Sequence, residues 1–331
     1  MAIEMQEPVT VRALQAGIAP AYAWLAGMEL GVFTALGAGP LDGPAVAGIL
    51  GVSTSRLERL LYALVLAGLL EHRDGCFRNT PEAARFLDRT SPDYIGDEHE
   101  LDAELWRADL ETARSIREGR PAARHDYANI TPAATMSFLR GLAPGAFAFG
   151  RELADSFDLS ACRSALDIGG GPGSALVALR RRHPNLAATL FELQQILPVS
   201  RELLGEEARD FHFEAGDITK APPRSHHDII LMKALVQVLS AEDAGRAIRN
   251  AATALAPGGY LFVAGVGIIE DDHLSPAPAV YYNITFLNLY ADGASYLKSD
   301  YSRWASEAGL GEIAFSIMPS GIPLMSARAP R

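Results

Sequence analysis

The chain is poor in several features that mark particular protein classes. Its two cysteines, Cys76 and Cys162, are far apart and not in a metal-type spacing, so neither a disulfide framework nor a metal site is predicted. The N-terminus, MAIEMQEPVTVRAL, carries acids and lacks the basic-then-apolar pattern of a secretory signal. These features favour a cytoplasmic protein.

Positive charge and membrane-length apolar runs are scarce as well. The net charge of −11 argues against nucleic acid or an anionic membrane as the main partner. One apolar stretch, GIAPAYAWLAGMELGVFTALGAG, approaches the length of a membrane span, but Pro20, Glu29 and several glycines favour a buried helix pair. The 331 residues, 49% hydrophobic and 21% charged, suit one large or two ordinary globular domains.

Residues 1–95 read as a small helical domain. Two helical patterns, LDGPAVAGILGV and STSRLERLLYALVLAGLL (the second beginning at a Ser/Thr cap region), precede two short extended runs around Asp74-Gly75. This order is typical of a winged helix, which often binds DNA. Seven Arg, no Lys and ten acidic residues leave this part with a net charge of −3, and apolar residues dominate its second helix. We therefore predict a dimerisation domain that does not bind nucleic acid.

In the rest of the chain, the spacing of apolar residues changes near Ser160. Residues 96–160 are predicted to be a helical linker that contributes to the pocket of the substrate molecule, which is called the acceptor below. Residues 161–331 alternate apolar strands with helices, starting at SALDIGGGPG and closing with the hairpin segments EIAFSIMP and IPLMSARAP. This alternation predicts an α/β fold with a doubly wound parallel sheet and ligands at the carboxyl ends of its strands.

The loop LDIGGGPGS differs from a dinucleotide-binding loop. Ser174 stands where the dinucleotide fingerprint has Gly or Ala, and Pro172 removes a backbone N–H donor that a pyrophosphate would use. Three acids follow three successive strands. Asp167 suits a cationic amino group, Glu192 a ribose diol, and Asp217 the edge of a nucleobase. Together they predict S-adenosylmethionine (SAM), with an NAD-dependent oxidoreductase as the rival class.

Five segments, LDIGGGPG, LFEL, GDI, LMKALVQVLSAED and LAPGGYLFV, resemble consecutive motifs of the small-molecule O-methyltransferases. The resemblance runs from about Val11 to the end of the chain. It implies a class I Rossmann-like methyltransferase domain, an N-terminal winged-helix dimerisation domain, a homodimer, and conversion of SAM to S-adenosylhomocysteine (SAH). The cofactor-binding set that it implies comprises Asp167, Gly169, Gly171, Gly173, Glu192, Leu193, Asp217, Ile218 and Lys233.

Two segments depart from the family that the chain resembles. Where relatives carry a histidine that deprotonates the acceptor hydroxyl, this chain has Gln237, and Val238 replaces the acid that follows it. Asn283 and Ser295 stand where relatives often carry an aspartate and an assisting glutamate. An amide cannot take a proton at neutral pH, so we expect Gln237 to position the acceptor.

Three functions are compatible with this departure. The favoured one is S-methylation of a thioether, which loses no proton, and a branch of the resembling family methylates 4-methylthio-2-hydroxybutyrate in dimethylsulfoniopropionate synthesis. The second is O- or C-methylation of a phenolic, hydroxy or oxo-acid metabolite with a base elsewhere; the candidates are His125, Tyr127, His273, Tyr282 and Tyr290. The third is a SAM-binding regulator without catalysis. The acceptor is expected to be a small molecule. We expect its pocket to be lined by Trp106, Tyr127, Met136, Tyr282, Asn283, Asn288 and Tyr290.

Overall fold

The structure, a computed structural model, describes residues 7–96, 98–124 and 130–331. The chain divides into two compact units, Met1–His99 and Glu100–Arg331. Within the described ranges, no helix is both long enough and apolar enough to cross a bilayer. Of the predicted site residues, Tyr127 lies outside the described residues, as does the candidate base His125.

The first unit consists of short helices and one small antiparallel sheet. Its elements are α1 (Val9–Leu30), α2 (Val32–Ala35), β1 (Leu41–Asp42), α3 (Gly43–Leu50), α4 (Thr54–Leu66), β2 (Leu70–Arg73), β3 (Cys76–Asn79) and α5 (Pro81–Phe86). The strands are ordered β1-β3-β2. Asp74 and Gly75 both have positive φ, as the predicted two-residue hairpin turn requires.

Side-chain caps set two of the helix starts in this unit. Asp42 caps α3 by accepting from the Ala45 amide at 2.8 Å, and Thr80 caps α5. Helix α4 starts in the predicted Ser/Thr region with Ser53 as its N-cap residue, but the Ser53 hydroxyl contacts the Ser55 hydroxyl and makes no capping bond to the helix backbone. The spacing of leucines still produces α4, whose inner face is buried in the core of the unit.

The second unit contains the larger sheet. Its elements are α6 (Glu98–Asp109, most of which lies in this unit), α7 (Thr112–Glu118), α8 (Pro132–Ser156), β4 (Ser164–Ile168), α9 (Ser174–Arg182), β5 (Ala187–Glu192), α10 (Leu197–Leu204), β6 (Phe211–Ala215), β7 (His227–Lys233), α11 (Ala241–Thr253), β8 (Leu255–Ala264), β9 (Ile268–Ile269), α12 (Ala277–Leu289), β10 (Tyr296–Leu297), α13 (Lys298–Glu307), β11 (Gly311–Ile317) and β12 (Pro323–Arg328).

The seven-stranded sheet has the order β11-β12-β8-β7-β4-β5-β6. Strands β4 to β8 pair in parallel, whereas β12 pairs antiparallel with β8, so the sheet is mixed and the predicted parallel sheet is corrected at this edge. The chain winds from β4 outward to β6 and then crosses to β7 on the other side of β4. Ligands of doubly wound sheets bind at the carboxyl ends of the strands where the winding reverses, which here is between β4 and β7.

Helix α8 supports the start of α9. At Gly150 the two backbones approach so closely that an added Cβ would lie 2.9 Å from the Ala175 Cα and even nearer the Ala175 carbonyl oxygen. Phe149 and Leu153 are fully buried beside this contact. Because α9 begins immediately after the glycine loop, this packing holds one end of the predicted cofactor loop.

Candidate cofactor and acceptor site

The predicted cofactor acids lie at one edge of the sheet. Asp167 is in β4, Glu192 is the last residue of β5, and Asp217 follows the end of β6 by two residues. The Gly169 amide donates to the Phe191 carbonyl at 2.8 Å. These parallel neighbours bring the first two acids and the glycine loop together.

Asp167 is a buried acid with spare bonding capacity. Its side chain is 1% exposed, and its Oδ1 has no hydrogen-bond partner among the described residues. Burial raises the pKa of Asp167 to about 7, with Lys233 acting to lower it and Glu192 to raise it. A buried oxygen without a partner is costly, and a ligand that donates an N–H there would satisfy it.

Glu192 is held in place by the glycine loop. Its Oε2 accepts from the Gly171 amide at 3.1 Å and its Oε1 from the Leu193 amide at 2.7 Å. Burial raises the pKa of Glu192, and these two bonds act in the opposite direction. Each carboxylate oxygen has a second lone pair, so the group remains able to accept from a diol while its orientation is fixed.

Asp217 has its partners within its own turn. It accepts from the amide and hydroxyl of Thr219 at 3.0 and 2.7 Å and pairs with Lys220 at 3.0 Å. Burial acts to raise its pKa, but the bonds from Thr219 and Lys220 outweigh burial and the pKa is lowered. The neighbouring Ile218 side chain is buried, and its carbonyl accepts from the Asn250 amide group at 2.7 Å.

The backbone conformation and packing of the loop itself require its glycines. Gly169, Gly171 and Gly173 all have positive φ. A Cβ on Gly171 would lie 2.9 Å from Leu139 Cδ2, so the space beside it is occupied by a side chain. Gly170, which sequence reasoning missed, leaves the space that the Asp167 carboxylate fills. The run of three glycines was the signal for it.

Gln237 occupies a pocket built by glycines. It lies in a one-turn 3₁₀ helix, Val236–Val238, and is 7% exposed, and its carboxamide makes no hydrogen bond with any described residue. A Cβ on Gly267 would lie 2.6 Å from Gln237 Cβ, and one on Gly265 would clash with Gln237 Oε1. On the other side, a Cβ on Gly293 would lie 2.6 Å from the Gln237 carbonyl. These three glycines were not identified in the sequence.

The two other neutral replacements contact each other. Asn283 Oδ1 accepts from the Ser295 amide at 2.9 Å, and the Ser295 hydroxyl donates to the Ala279 carbonyl at 3.1 Å. The pair therefore ties the first half of α12 to the segment that leads into β10. This bonding uses the Asn283 oxygen in a structural contact.

Asn288 braces two helices. It is fully buried, its Oδ1 accepts from the Ser115 hydroxyl at 2.6 Å, and its amide donates to the Thr112 hydroxyl at 2.9 Å and the Ile284 carbonyl at 3.0 Å. These bonds use the carboxamide to join α7 to α12. The arrangement does not favour the predicted role of Asn288 in contacting an acceptor.

The remaining predicted acceptor residues are distributed over three helices. Tyr282 and Tyr290 are half-buried on α12 and at its end, on either side of Phe286, with ring centroids 6.2 and 5.9 Å from it. Trp106 is half-buried on α6, and Met136 packs on the cluster around Leu139 from α8. His273, a candidate base, lies in an exposed turn before α12.

Comparison with known protein families identifies the chain. The model of the O-methyltransferase domain matches residues 117–311, and the model of the O-methyltransferase dimerisation domain matches residues 17–89. The chain belongs to the O-methyltransferase family. The predicted resemblance, the enzyme class and the cofactor SAM are thereby confirmed, and the oxidoreductase alternative is wrong.

Relatives match over most of the chain. A 3-hydroxy-5-methyl-1-naphthoate 3-O-methyltransferase of Streptomyces sahachiroi is 30% identical, covering 92% of this chain and 90% of its own. The tetracenomycin polyketide synthesis 8-O-methyl transferase TcmO of Streptomyces glaucescens is 28% identical and covers 93% of each chain. The structure of human N-acetylserotonin methyltransferase in complex with SAM superposes with a TM-score of 0.85 at 22% identity, covering both chains fully, which confirms the fold.

Proposed function

We propose that this O-methyltransferase family member transfers the methyl group of SAM to an oxygen of a small aromatic hydroxy compound. The observation that carries the cofactor part is the buried, unpartnered Oδ1 of Asp167 beside Lys233 and the anchored Glu192. The acceptor part is supported by the relatives, which are named for transfer to oxygen of naphthoate and polyketide compounds.

The chain's own residues divide the work of holding the cofactor. We assign Asp167 to the cationic amino group, because its free oxygen accepts only from a donor that reaches the buried strand end. Glu192 would accept from the ribose diol while Gly171 and Leu193 fix its orientation. Asp217 and Ile218 would flank the adenine. When bound, SAM supplies an activated methyl group.

The acceptor must be methylated without a base at position 237, where the family resemblance implies a histidine. A hydroxyl that is already ionised satisfies this requirement, and so does a thioether. The neutral Gln237 is the observation that keeps S-methylation of a thioether such as 4-methylthio-2-hydroxybutyrate as a second candidate. The relatives give no support to dimethylsulfoniopropionate synthesis, so the hydroxyl is the primary proposal.

We also propose that two copies associate through the first unit. The family match places a dimerisation domain at residues 17–89. Helix α1 carries an exposed apolar stripe that consists of Val11, Leu14, Ile18 and Tyr22, spaced as one helix face. Exposed apolar area of this kind is typical of an interface. Residues 1–95 would form this domain, residues 96–160 the helical linker, and residues 161–331 the SAM-binding domain.

Calorimetry with SAM tests the cofactor assignment. Glu192→Ala removes the carboxylate that is proposed to hold the ribose diol, and we expect SAM affinity to fall about 10- to 100-fold. Glu202→Ala, an exposed acid on α10, serves as the matched control and should bind SAM as the parent protein does. Unchanged affinity in Glu192→Ala would refute the assignment.

A panel of acceptors tests the reaction. The protein is incubated with methyl-labelled SAM and naphthols, hydroxynaphthoates, thioethers and 2-oxo acids, and labelled products are separated. Label on a hydroxyl oxygen supports the primary proposal, and a labelled sulfonium supports the second candidate. Tight SAM binding with no labelled product from any class would favour the SAM-binding regulator.

A further inference from the structure

Gln237 is a largely buried residue whose carboxamide bonds no described residue. The residue as a whole is 7% exposed. Its carboxamide atoms are not among the fully buried polar atoms that lack a partner, so they reach solvent-accessible space. At the position where the family resemblance implies a catalytic histidine, this geometry points to a partner that arrives with the substrate.

The surroundings of Gln237 determine which end of the amide is available. Oε1 lies against the backbones of Gly265 and Gly267, where only glycine leaves room for it. The –NH2 end is therefore turned away from both glycines. This end is a pure donor, so the group it awaits is an acceptor of hydrogen bonds.

Five ionisable side chains lie on the elements around Gln237, and two of them are engaged in contacts within the protein. They are Lys233 at the end of β7, Asp243 at the start of α11, and Tyr290, Asp292 and Tyr296 between α12 and β10. The Tyr296 hydroxyl donates to the Leu239 carbonyl at 2.5 Å, and burial raises its pKa to about 12. Asp243 is occupied by Ser240 and Arg246. Lys233 adds a positive charge on this side.

We propose that Gln237 determines acceptor specificity by donating a hydrogen bond to an ionised acceptor oxygen, so that the enzyme selects hydroxyls acidic enough to lose their proton before binding. Hydroxyls conjugated to a carbonyl or nitro group belong to this class, whereas simple phenols with a pKa near ~10 do not. The inference rests on the proposed function and names its substrate class.

The chemistry balances without a protein base. The acceptor hydroxyl releases its proton to solvent before binding. In the transfer, the anionic oxygen forms a bond to the methyl carbon while the bond from that carbon to the sulfonium sulfur breaks and its electron pair stays on sulfur. The step moves no proton, and an amide donor is sufficient to orient the oxygen.

A coloured probe tests the selection of the anion. 4-Nitro-1-naphthol ionises near neutral pH, and its anion absorbs visible light. The protein is loaded with SAH so that no turnover occurs, and the probe is titrated at its own pKa. We expect binding to raise the anion absorbance, with the bound probe's pKa lowered by about one unit, because hydrogen bonds to charged groups are the strong ones.

Three variants complete the experiment. Gln237→Met keeps the shape and removes the donor, and it should abolish the shift and weaken probe binding about tenfold while SAH affinity is unchanged. Gln237→His should increase turnover of 1-naphthol more than that of 4-nitro-1-naphthol. Glu202→Met, which removes a polar end at an exposed site on α10, should behave as the parent protein.

Several results would overturn the inference and leave the proposed function standing. They are preferential binding of the protonated probe, an equal shift in Gln237→Met, and a preference of the parent protein for 1-naphthol. Failure of both naphthols to bind the SAH complex would also count against it, because flat acidic hydroxyls are the class proposed. Loss of SAM binding in Gln237→Met would mean that the residue supports the cofactor. Failure of the parent protein to bind SAM or SAH refutes the proposed function itself.

Discussion

SAM affinity should depend strongly on pH because of Asp167. Its pKa is raised to about 7 in the free protein by burial. A ligand ammonium beside the carboxylate favours the ionised form and lowers this pKa in the complex. The protein must therefore lose a proton to bind SAM. The affinity for SAM rises as pH rises, and a proton is released on binding.

The size of the effect follows from the fraction of ionised Asp167. With a pKa of about 7, roughly one molecule in eleven is ionised at pH 6 and half are ionised at pH 7. Apparent affinity scales with the competent fraction. From pH 7.5 to 6.0 the dissociation constant should rise about eightfold, which is ~1.2 kcal/mol, and this range lies below the pKa of the ligand's own amino group, ~7.7 or higher.

Calorimetry measures both the affinity and the proton. Titrations at pH 6.0 in buffers of different ionisation enthalpy should show close to one proton released per SAM bound. Asp167→Asn should bind weakly with a nearly flat pH dependence, and any remaining slope would belong to Glu192, whose pKa is also raised. Because a buried carboxyl with a raised pKa destabilises the fold as pH rises, Asp167→Asn should also increase the stability of the free protein at pH 8. A flat profile in the parent protein would refute the reasoning.

Three further outcomes are expected. Gly150→Ala should lower the free energy of unfolding by about 1–3 kcal/mol and weaken SAM binding, because the new Cβ pushes α8 away from Ala175. Gly145→Ala, in open space on the same helix, should raise the free energy of unfolding by ~0.5–1 kcal/mol, as measured by urea denaturation. His227 is buried with neither ring nitrogen bonded to a described residue, and burial lowers its pKa despite the nearby carboxylates. Stability from its neutral form is therefore full above about pH 6.5 and is lost as pH falls toward the folded pKa, so the urea midpoint of His227→Leu should depend less on pH between 7.5 and 5.5 than that of the parent. Sedimentation should show a dimer at micromolar concentration, and the protein should not change the electrophoretic mobility of duplex DNA. A monomer that retards DNA would contradict the role given to the first unit.

The neutral replacements show how one observation in the sequence separates into different roles. Gln237, Asn283, Ser295 and Asn288 all read as polar groups near an acceptor. In the structure Asn283 bonds the Ser295 backbone and Asn288 joins α7 to α12, whereas the Gln237 amide has no bonding partner among the described residues. Only the last has its bonding capacity free for a ligand. A side chain's partners decide its role, and partners more than a hundred residues away are not visible in a local pattern.

The sequence alone determined the features that depend on neighbouring residues. The alternation of apolar strands with helices, the glycine loop and the acids at the ends of β4 and β5 all follow from short-range patterns, because backbone period and strand-end position are local properties. The same reasoning located the Asp74-Gly75 turn, which only residues tolerant of positive φ form readily. Boundaries within these segments were accurate to a few residues.

Tertiary structure decided everything that depends on which segments meet. The antiparallel edge at β12, the Asn288 brace and the glycine pocket around Gln237 all arise from contacts between parts of the chain that are distant in sequence. The Ser53 hydroxyl contacts Ser55 in place of the helix backbone. Burial likewise sets the Asp167 pKa, since an aspartate at a strand end titrates normally until the surrounding residues exclude water from it. Local patterns specify which groups are present, and packing specifies which of them are left with unused bonding capacity.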